Sequence, residues 1–390
     1  MLNEQPVTDK LKKDFYNNLR LGILGGGQLG RMLLQKAADY NISNAVLDPD
    51  AAAPCKNICD EFTQGDFNDY KTVYAFGKKA DLLTIEIEHV NVEALEQLEK
   101  EGVKVFPTPH LIRLVQDKGA QKIFYRTNKI PTAEFHLVEN RQQLIEQKNF
   151  LPFVQKLRRG GYDGRGVQVM KSESDFEKGF DAPAVLEKYI SFEKEISVIV
   201  ARNESGEIKT FPVVEMEFNP EANLVEFLFS PSSVPAETAA KAISIAEKIA
   251  TDARLVGVLA VEMFVTGEGD VLVNEMAPRP HNSGHHTIEA NMTSQYEQHL
   301  RAIFNLPLGS TEIVSPAVMV NLLGEKNYSG PAKYEGLEKA LAMEGVYVHL
   351  YGKKNTRAFR KMGHVTCVAG NLEEARIKAR AVKEILKVVA

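Results

Sequence analysis

Tryptophan is absent from the 390 residues, and cysteine occurs only three times. Three thiols cannot make a disulfide framework. Cys55 and Cys59 lie four apart, but Cys367 is remote and no histidine pair completes a zinc site, so all three read as structural. No apolar run is long enough to span a bilayer. The opening stretch MLNEQPVTDKLKKDFYNNLR is polar and mixed in charge, without the apolar centre of a secretion signal. A cytoplasmic protein is the expectation. Charge of one sign is also scarce: 47 Lys and Arg against 52 Asp and Glu leave a net charge of -5. No global basic field exists for a nucleic acid, and any anion site must be local.

What is present fits a multidomain globular chain. Hydrophobic residues make up 44% and charged residues 25%, and the length implies about two to four domains. RLGILGGGQLGRMLLQKAADY reads as strand, glycine turn and helix. AVLD forms a second strand ending at Asp48, DLLTIEIE another ending at Glu86 and Glu88, and KVFPTP closes the segment. Strands alternating with helices imply a parallel sheet covered on both faces. From about Gln116 a charged helix leads into a small α+β unit with strands PFVQKL, GVQVMK and AVLEKYI. A larger unit follows, with a helix from Ala236 to Ala253 on which Ile243, Ala246, Ile249 and Ala250 recur at helical spacing. The tail after about Ile313 reads as short strands with glycine turns and a helix from Leu372.

Gly25-Gly26-Gly27-Gln28-Leu29-Gly30 follows a strand and opens a helix. It fits the dinucleotide fingerprint, with Asp48 placed where a ribose-binding carboxylate would lie. A nicotinamide-dependent oxidoreductase is one reading. The backbone N–H groups of such a turn bind any phosphate, and a bare strand-to-helix turn without a ligand is another reading.

VGVLAVEMFV is apolar on both faces, and VLVNEMAP is similar. If the turn TGEGD has Glu268 and Gly269 as its two central residues, Glu262 falls opposite Glu275. Two facing carboxylates in an apolar setting repel unless protonated or bridged by a cation. Oxygen ligands favour magnesium, which completes its shell with nucleotide phosphates, and Asn274 adds a third oxygen. The alternative is an acidic pair on a solvated edge.

RRGGYDGRG, from Arg158 to Gly166, holds four glycines and three arginines in nine residues. Glycines let N–H groups close over a polyphosphate, and arginines neutralise it. Lys156 lies in an apolar strand just before the loop, either as a phosphate ligand or snorkelling to the surface. Glu187 ends the strand of LEKYI, a hinge that can offer backbone groups to adenine. Glu195 can hold ribose hydroxyls.

PRPHNSGHH places Arg279 and three histidines directly after the carboxylate hairpin. Zinc is disfavoured, because hard oxygen ligands dominate the neighbourhood. A second cationic cluster comprises Tyr351-Gly352-Lys353-Lys354 and Arg360-Lys361-Met362-Gly363-His364.

The order GILGGGQLGRM, TIEIE, GGYDGRG, LEKYI, VEMF, NEMAPRPHNSGHHTIEA and YGKKNTRAFRKMGHV resembles the ATP-grasp superfamily. Within it, the sequence is similar to the 5-(carboxyamino)imidazole ribonucleotide synthase family. The resemblance runs from about Leu21 to near the end of the chain. It implies an N-terminal extension (1–20), a Rossmann-like domain (21–115), a small lid domain (116–194), a larger domain (195–312) and a β-rich C-terminal subdomain (313–390). It implies a reaction of ATP, bicarbonate and 5-aminoimidazole ribonucleotide by way of carboxyphosphate, in a homodimer.

Carried over residue by residue, Lys118 and Lys156 contact ATP phosphates. Gly161, Tyr162, Asp163, Gly164, Arg165, Gly166 and Val167 form the lid loop. Glu187, Lys188, Tyr189 and Ile190 border the adenine, and Glu195 the ribose. Glu262, Glu275 and Asn274 hold Mg2+. Tyr162, Arg165, Arg279, His281, Asn282, Lys353 and Arg360 hold the ribonucleotide and bicarbonate, with Glu86 at the acceptor site. Gln28 and Leu29 offer N–H groups to the 5'-phosphate. Two positions depart from the family pattern: Phe218 stands where many relatives carry histidine, and Lys118 where they carry arginine. A formate-dependent glycinamide ribonucleotide transformylase would share the magnesium carboxylates and the loop. PRPHNSGH and YGKK favour the carboxylating family. A binding protein without turnover is the remaining alternative.

Overall fold

The computed structural model describes residues 19–161, 166–221 and 223–390. Its first sheet is parallel, with order β3-β2-β1-β4-β5. The strands are β1 (Arg20–Leu24), β2 (Ser43–Asp48), β3 (Glu61–Gln64), β4 (Leu82–Ile85) and β5 (Lys104–Val105). β4 stops at Ile85, so Glu86 and Glu88 lie past the strand end and not within it as the sequence predicts. Helix α1 (Gln28–Asp39) follows the glycine turn. Gly25 takes a φ of 100°, and a Cβ there would sit 2.4 Å from the Glu86 side chain. Only glycine lets that carboxylate approach.

A second, antiparallel sheet has order β6-β9-β7-β8, from β6 (Phe135–Val138), β7 (Phe153–Leu157), β8 (Val167–Met170) and β9 (Ala184–Lys188). The basic glycine loop joins β7 to β8 at its edge, as expected. Helix α2 (Lys118–Thr127) leads into this unit.

The third sheet has nine strands. Its first four are β10 (Phe192–Arg202), β11 (Ile208–Thr210), β12 (Val214–Asn219) and β13 (Leu224–Ser230). After helix α3 (Ala236–Asp252) come β14 (Gly257–Thr266) and β15 (Val271–Ala277). One face of α3 is built from Ala242, Ala246, Ile249 and Ala250, which pack on Val198, Val200, Leu259 and Val261. Ile249 is fully buried; truncating it to alanine costs about 2–5 kcal/mol. The longer strands of the tail join this sheet, while Gly330–Pro331 with Asn355–Thr356 and Lys333–Glu335 with Lys387–Val389 form two small two-stranded sheets. Ala317–Leu323 pairs with β13, and Lys361–Val368 and Val346–Leu350 extend the same sheet. The reason is register: Phe227 pairs with Val320 across the boundary that the sequence reading placed at 312/313.

Helix α4 (Gln295–Ile303) joins the first sheet to the third. Tyr296, Leu300 and Ile303 pack with Met32 and Leu33 of α1. His299 accepts from the Val258 N–H through Nδ1 and lies 2.9 Å from Thr84 Oγ1 through Nε2. Burial pushes its pKa down to about 3, so a neutral imidazole with its proton on Nε2 pins β4 to β14.

Candidate active site

The hairpin of β14 and β15 places Glu262 opposite Glu275, as the sequence predicts, but by a different route. The turn has three residues, Gly267 to Gly269. Thr266 N–H donates to Asp270 O, and Gly269 takes a φ of 81°. This shifts the register by one, so that Val265 pairs with Val271. A bulge at Asn274 restores it before Glu262. A two-residue turn is thus replaced by a three-residue loop with a glycine in the left-handed region. The bulge also turns Asn274 toward the cleft, where its Oδ1 accepts from Lys156 Nζ at 2.8 Å.

Charge in the cleft is balanced by lysines. Lys118 Nζ lies 2.6 Å from Glu275 Oε2. The Lys118 charge holds the Glu275 carboxyl below the usual range, while burial and the facing Glu275 push Glu262 upward. Burial raises Glu195 to about 7. The opposed pair therefore holds one firm anion and one carboxyl that needs a further cation to ionise. Among the described residues no three or more His, Cys, Asp or Glu form a metal cage. Two carboxylates and an amide oxygen are a set that a magnesium ion completes with phosphate oxygens.

The Glu187 side chain points inward. It is 4% exposed and lies 3.1 Å from Lys156 Nζ and 3.0 Å from Lys122 Nζ. Burial alone would raise its pKa, but the two ammonium groups hold it below the usual range. Its strand pairs with both Phe135 and Val154, which occupies its backbone. The N–H groups of Lys188 and Tyr189 donate to Glu134 and Pro152, and the Lys188 amine caps the carbonyls of Phe150 and Leu151. The N–H groups of Lys188 and Tyr189 are thus engaged within the sheet. Phe264 shares the face of Glu262 two residues away and stacks on Phe192 with ring centres 4.6 Å apart.

The basic loop is anchored at its first residue. Asp117 caps α2 through the Gly119 and Ala120 N–H groups and grips Arg158 bidentately at 2.9 and 2.7 Å. Gly160 and Gly166 flank the loop with φ of 76° and 74°, a conformation glycine adopts without strain. Tyr162, Asp163, Gly164 and Arg165 lie outside the described residues; Gly161 and Gly166 stand on either side of them.

The acceptor residues gather around the first glycine turn. Glu86 accepts from the Gly27 and Gly30 N–H groups at 2.9 and 2.8 Å, with Gln28 and Leu29 between them in the first turn of α1. Burial raises the Glu86 pKa against these hydrogen bonds. Asp48 accepts from the Gly26 and Asp50 N–H groups. Both of its oxygens are thus engaged by backbone. Two carboxylates thus take the N–H groups of Gly26, Gly27 and Gly30, while those of Gln28 and Leu29 lie in the first turn of α1, where phosphate binds. A cavity of about 290 Å³ joins Gly27 and Asp48 to Lys353, Lys354 and Arg360. Arg279 links the two halves: it pairs with Glu88 at 2.8 Å and follows Glu275 by four residues. His281 Nε2 lies 3.6 Å from Glu262 Oε1, and burial lowers its pKa to about 3. Asn282 is locked with Asn321 in a reciprocal amide pair at 2.8 and 2.9 Å.

Sequence reasoning missed Lys122, Thr132 and the Asp117–Arg158 fork. Lys122 had one available signal: it lies four residues after Lys118 and so shares its helical face.

Three family models match successive parts of the chain. The ribonucleotide synthetase preATP-grasp domain matches residues 19–116, the ATP-grasp domain 123–296, and the phosphoribosylaminoimidazole carboxylase C-terminal domain 317–378. The N5-carboxyaminoimidazole ribonucleotide synthase of Bacillus subtilis is 37% identical, over 91% of this chain and 93% of its own. The chloroplastic phosphoribosylaminoimidazole carboxylase of Vigna aconitifolia is 40% identical, and the chain spans 64% of its length. The crystal structure of N5-carboxyaminoimidazole ribonucleotide synthetase from Thermotoga maritima superposes with a TM-score of 0.88 at 44% identity, covering 95% of this chain and 99% of that one. The Aspergillus clavatus N5-carboxyaminoimidazole synthase, solved with ADP and 5-aminoimidazole ribonucleotide, gives 0.86 at 33% identity, covering 95% and 98%. The chain belongs to the N5-carboxyaminoimidazole ribonucleotide synthase family of ATP-grasp ligases.

Proposed function

We propose that the chain uses ATP and bicarbonate to carboxylate the amine of 5-aminoimidazole ribonucleotide, releasing ADP and phosphate, in purine biosynthesis. One observation carries this reading. Lys118 and Lys156 line a cleft with Glu275 and Asn274, while Lys353 and Arg360 line a separate cavity beside Gly27, and Arg279, four residues after Glu275, pairs with Glu88 just past the end of β4. One cleft suits a metal-bound polyphosphate and the other a phosphorylated acceptor.

Glu262, Glu275 and Asn274 would hold Mg2+, which when bound offsets charge on the transferring phosphoryl group. Lys118 and Lys156 contact the phosphates, and the 161–167 loop covers them. Ile190 borders the adenine, and Glu195 holds the ribose. A bicarbonate oxygen attacks the γ-phosphorus and ADP leaves, giving carboxyphosphate. The acceptor amine attacks the carboxyl carbon, phosphate leaves, and the amine loses a proton. Gln28, Leu29, Lys353 and Arg360 bind the acceptor phosphate. Arg279, His281 and Asn282 line the path between the two centres. His281, kept neutral by burial, adds no positive charge beside Glu262. Carboxyphosphate hydrolyses readily, so the loop must exclude water while Tyr162 and Arg165 sense the acceptor.

The reading includes a cytoplasmic homodimer, resting on the resemblance; a solution mass of twice 43.4 kDa checks the assembly. The test of function is ADP release from magnesium-ATP and bicarbonate, with and without 5-aminoimidazole ribonucleotide, with labelled bicarbonate trapped in the product. Stimulation with label in the ribonucleotide supports it. Turnover indifferent to that ribonucleotide removes the acceptor.

A further inference from the structure

Lys122 is 2% exposed, a position a lysine occupies only when its charge is answered. Its ammonium lies 3.0 Å from Glu187 Oε2 and donates to Thr132 Oγ1 at 2.6 Å. Thr132 Oγ1 in turn donates to the Val273 carbonyl at 2.7 Å, and Val273 N–H donates to Pro131 O. Val273 immediately precedes Asn274 and Glu275. One buried amine therefore connects the lid strand β9, through Glu187, to the strand β15 that carries the metal candidates.

Glu187 is shared. Its other oxygen holds Lys156 at 3.1 Å, and Lys156 also donates to Asn274. Both partners of Lys156 are thus protein groups. A phosphate entering the cleft must draw Lys156 toward itself, which takes a cation from a carboxylate that is 4% exposed. A buried carboxylate stripped of its partner is costly and would hold Lys156 back. Lys122 is placed to prevent that.

We infer that Lys122 is a positioning residue for nucleotide binding: it stays on Glu187 when Lys156 turns to the phosphates, and it keeps the lid strand in register with the metal-bearing strand. Lys122 lines the inner wall of the cleft but commits its ammonium to Glu187 and Thr132 rather than to the nucleotide. The inference rests on reading this cleft as the nucleotide site.

The experiment measures ADP dissociation constants without added metal, together with melting curves, for the wild type, Lys122→Met, Glu187→Gln and the double variant. Wild-type ADP binding and acceptor-dependent turnover come first; absence of ADP binding there overturns the parent reading and this inference with it. Lys122→Met is expected to weaken ADP binding about ten-fold or more, with the KM for 5-aminoimidazole ribonucleotide within about two-fold of wild type. Adding Glu187→Gln is expected to recover much of that loss, because the uncompensated carboxylate is gone. A folded Lys122→Met that binds ADP like the wild type overturns the inference, as does equal loss toward both substrates. If Lys122→Met does not fold, the double variant is compared with Glu187→Gln alone. Equal affinities support the inference, and a further ten-fold loss means that Lys122 touches the nucleotide and overturns it.

Discussion

Glu262 faces Glu275 because the bulge at Asn274 absorbs the extra residue of a three-residue turn. The opposition leaves Glu262 with a raised pKa and makes it a burden on the unliganded fold. Glu262→Gln is therefore expected to raise the melting temperature without ligand while lowering kcat/KM by about 10²–10⁴, the scale of a lost metal or electrostatic contact. Glu275→Gln should lower activity similarly but also lower the melting temperature, because Lys118 loses its partner. Thermal melts and steady-state turnover on the two variants check the opposite signs.

Lys353 and Arg360 line the cavity beside Gly27. Replacing either with alanine should raise the KM for the acceptor about 10–100-fold, the scale of one charge-assisted hydrogen bond. ADP affinity should stay unchanged. Parallel titrations of the two ligands separate the effects; equal loss of both would place these residues elsewhere in the reaction.

Arg158→Lys tests the anchor of the basic loop. The Asp117 carboxylate uses both oxygens on one guanidinium, which an ammonium cannot reproduce. ATP KM should rise several-fold and the melting temperature should fall by a few degrees, about 1 kcal/mol. An unchanged ATP KM would show that the loop needs no fixed base.

Arg165→Ala is expected to weaken acceptor binding and to uncouple ATP hydrolysis from carboxylation. The readout is the ratio of ADP released to labelled bicarbonate fixed. A ratio held at one would remove Arg165 from this role.

Glu195 carries a pH signature. Its pKa is raised from 4.5 to about 7 by burial, so the folded chain binds this proton more tightly than the unfolded one. Its share of stability is present below pH 4.5 and is lost as pH rises through 7. Glu195→Gln should melt close to the wild type at pH 5 and above it at pH 8. Identical pH profiles for the two proteins would assign the slope to other groups.

Sequence legibility followed the range of the interactions. The facing carboxylates lie thirteen residues apart in one hairpin, and counting along it found them even with the wrong turn, because the bulge cancelled the error. The helix from Leu372 carries its own cap at Asn371 and was equally local. Lys122 stayed hidden because a lysine in a charged helix reads as solvated. Only Glu187, sixty-five residues later, reveals why it is buried. The tail strands were visible as strands but not as members of the large sheet. Their place depends on Phe227 meeting Val320, a pairing that no local pattern encodes.

That continuous sheet has a mechanical consequence. Glu262 and Glu275 sit on its strands at one end, and the segment bearing Lys353 and Arg360 joins two of its strands at the other. The spacing between the carboxylate hairpin and the Lys353–Arg360 segment is set by hydrogen-bonded backbone, which bends little. The small sheet is held to this frame by the 131–132 segment and by side chains such as Lys118, Lys122 and Lys156. On the proposed function, the distance the carboxyl group must travel is a constant of the scaffold.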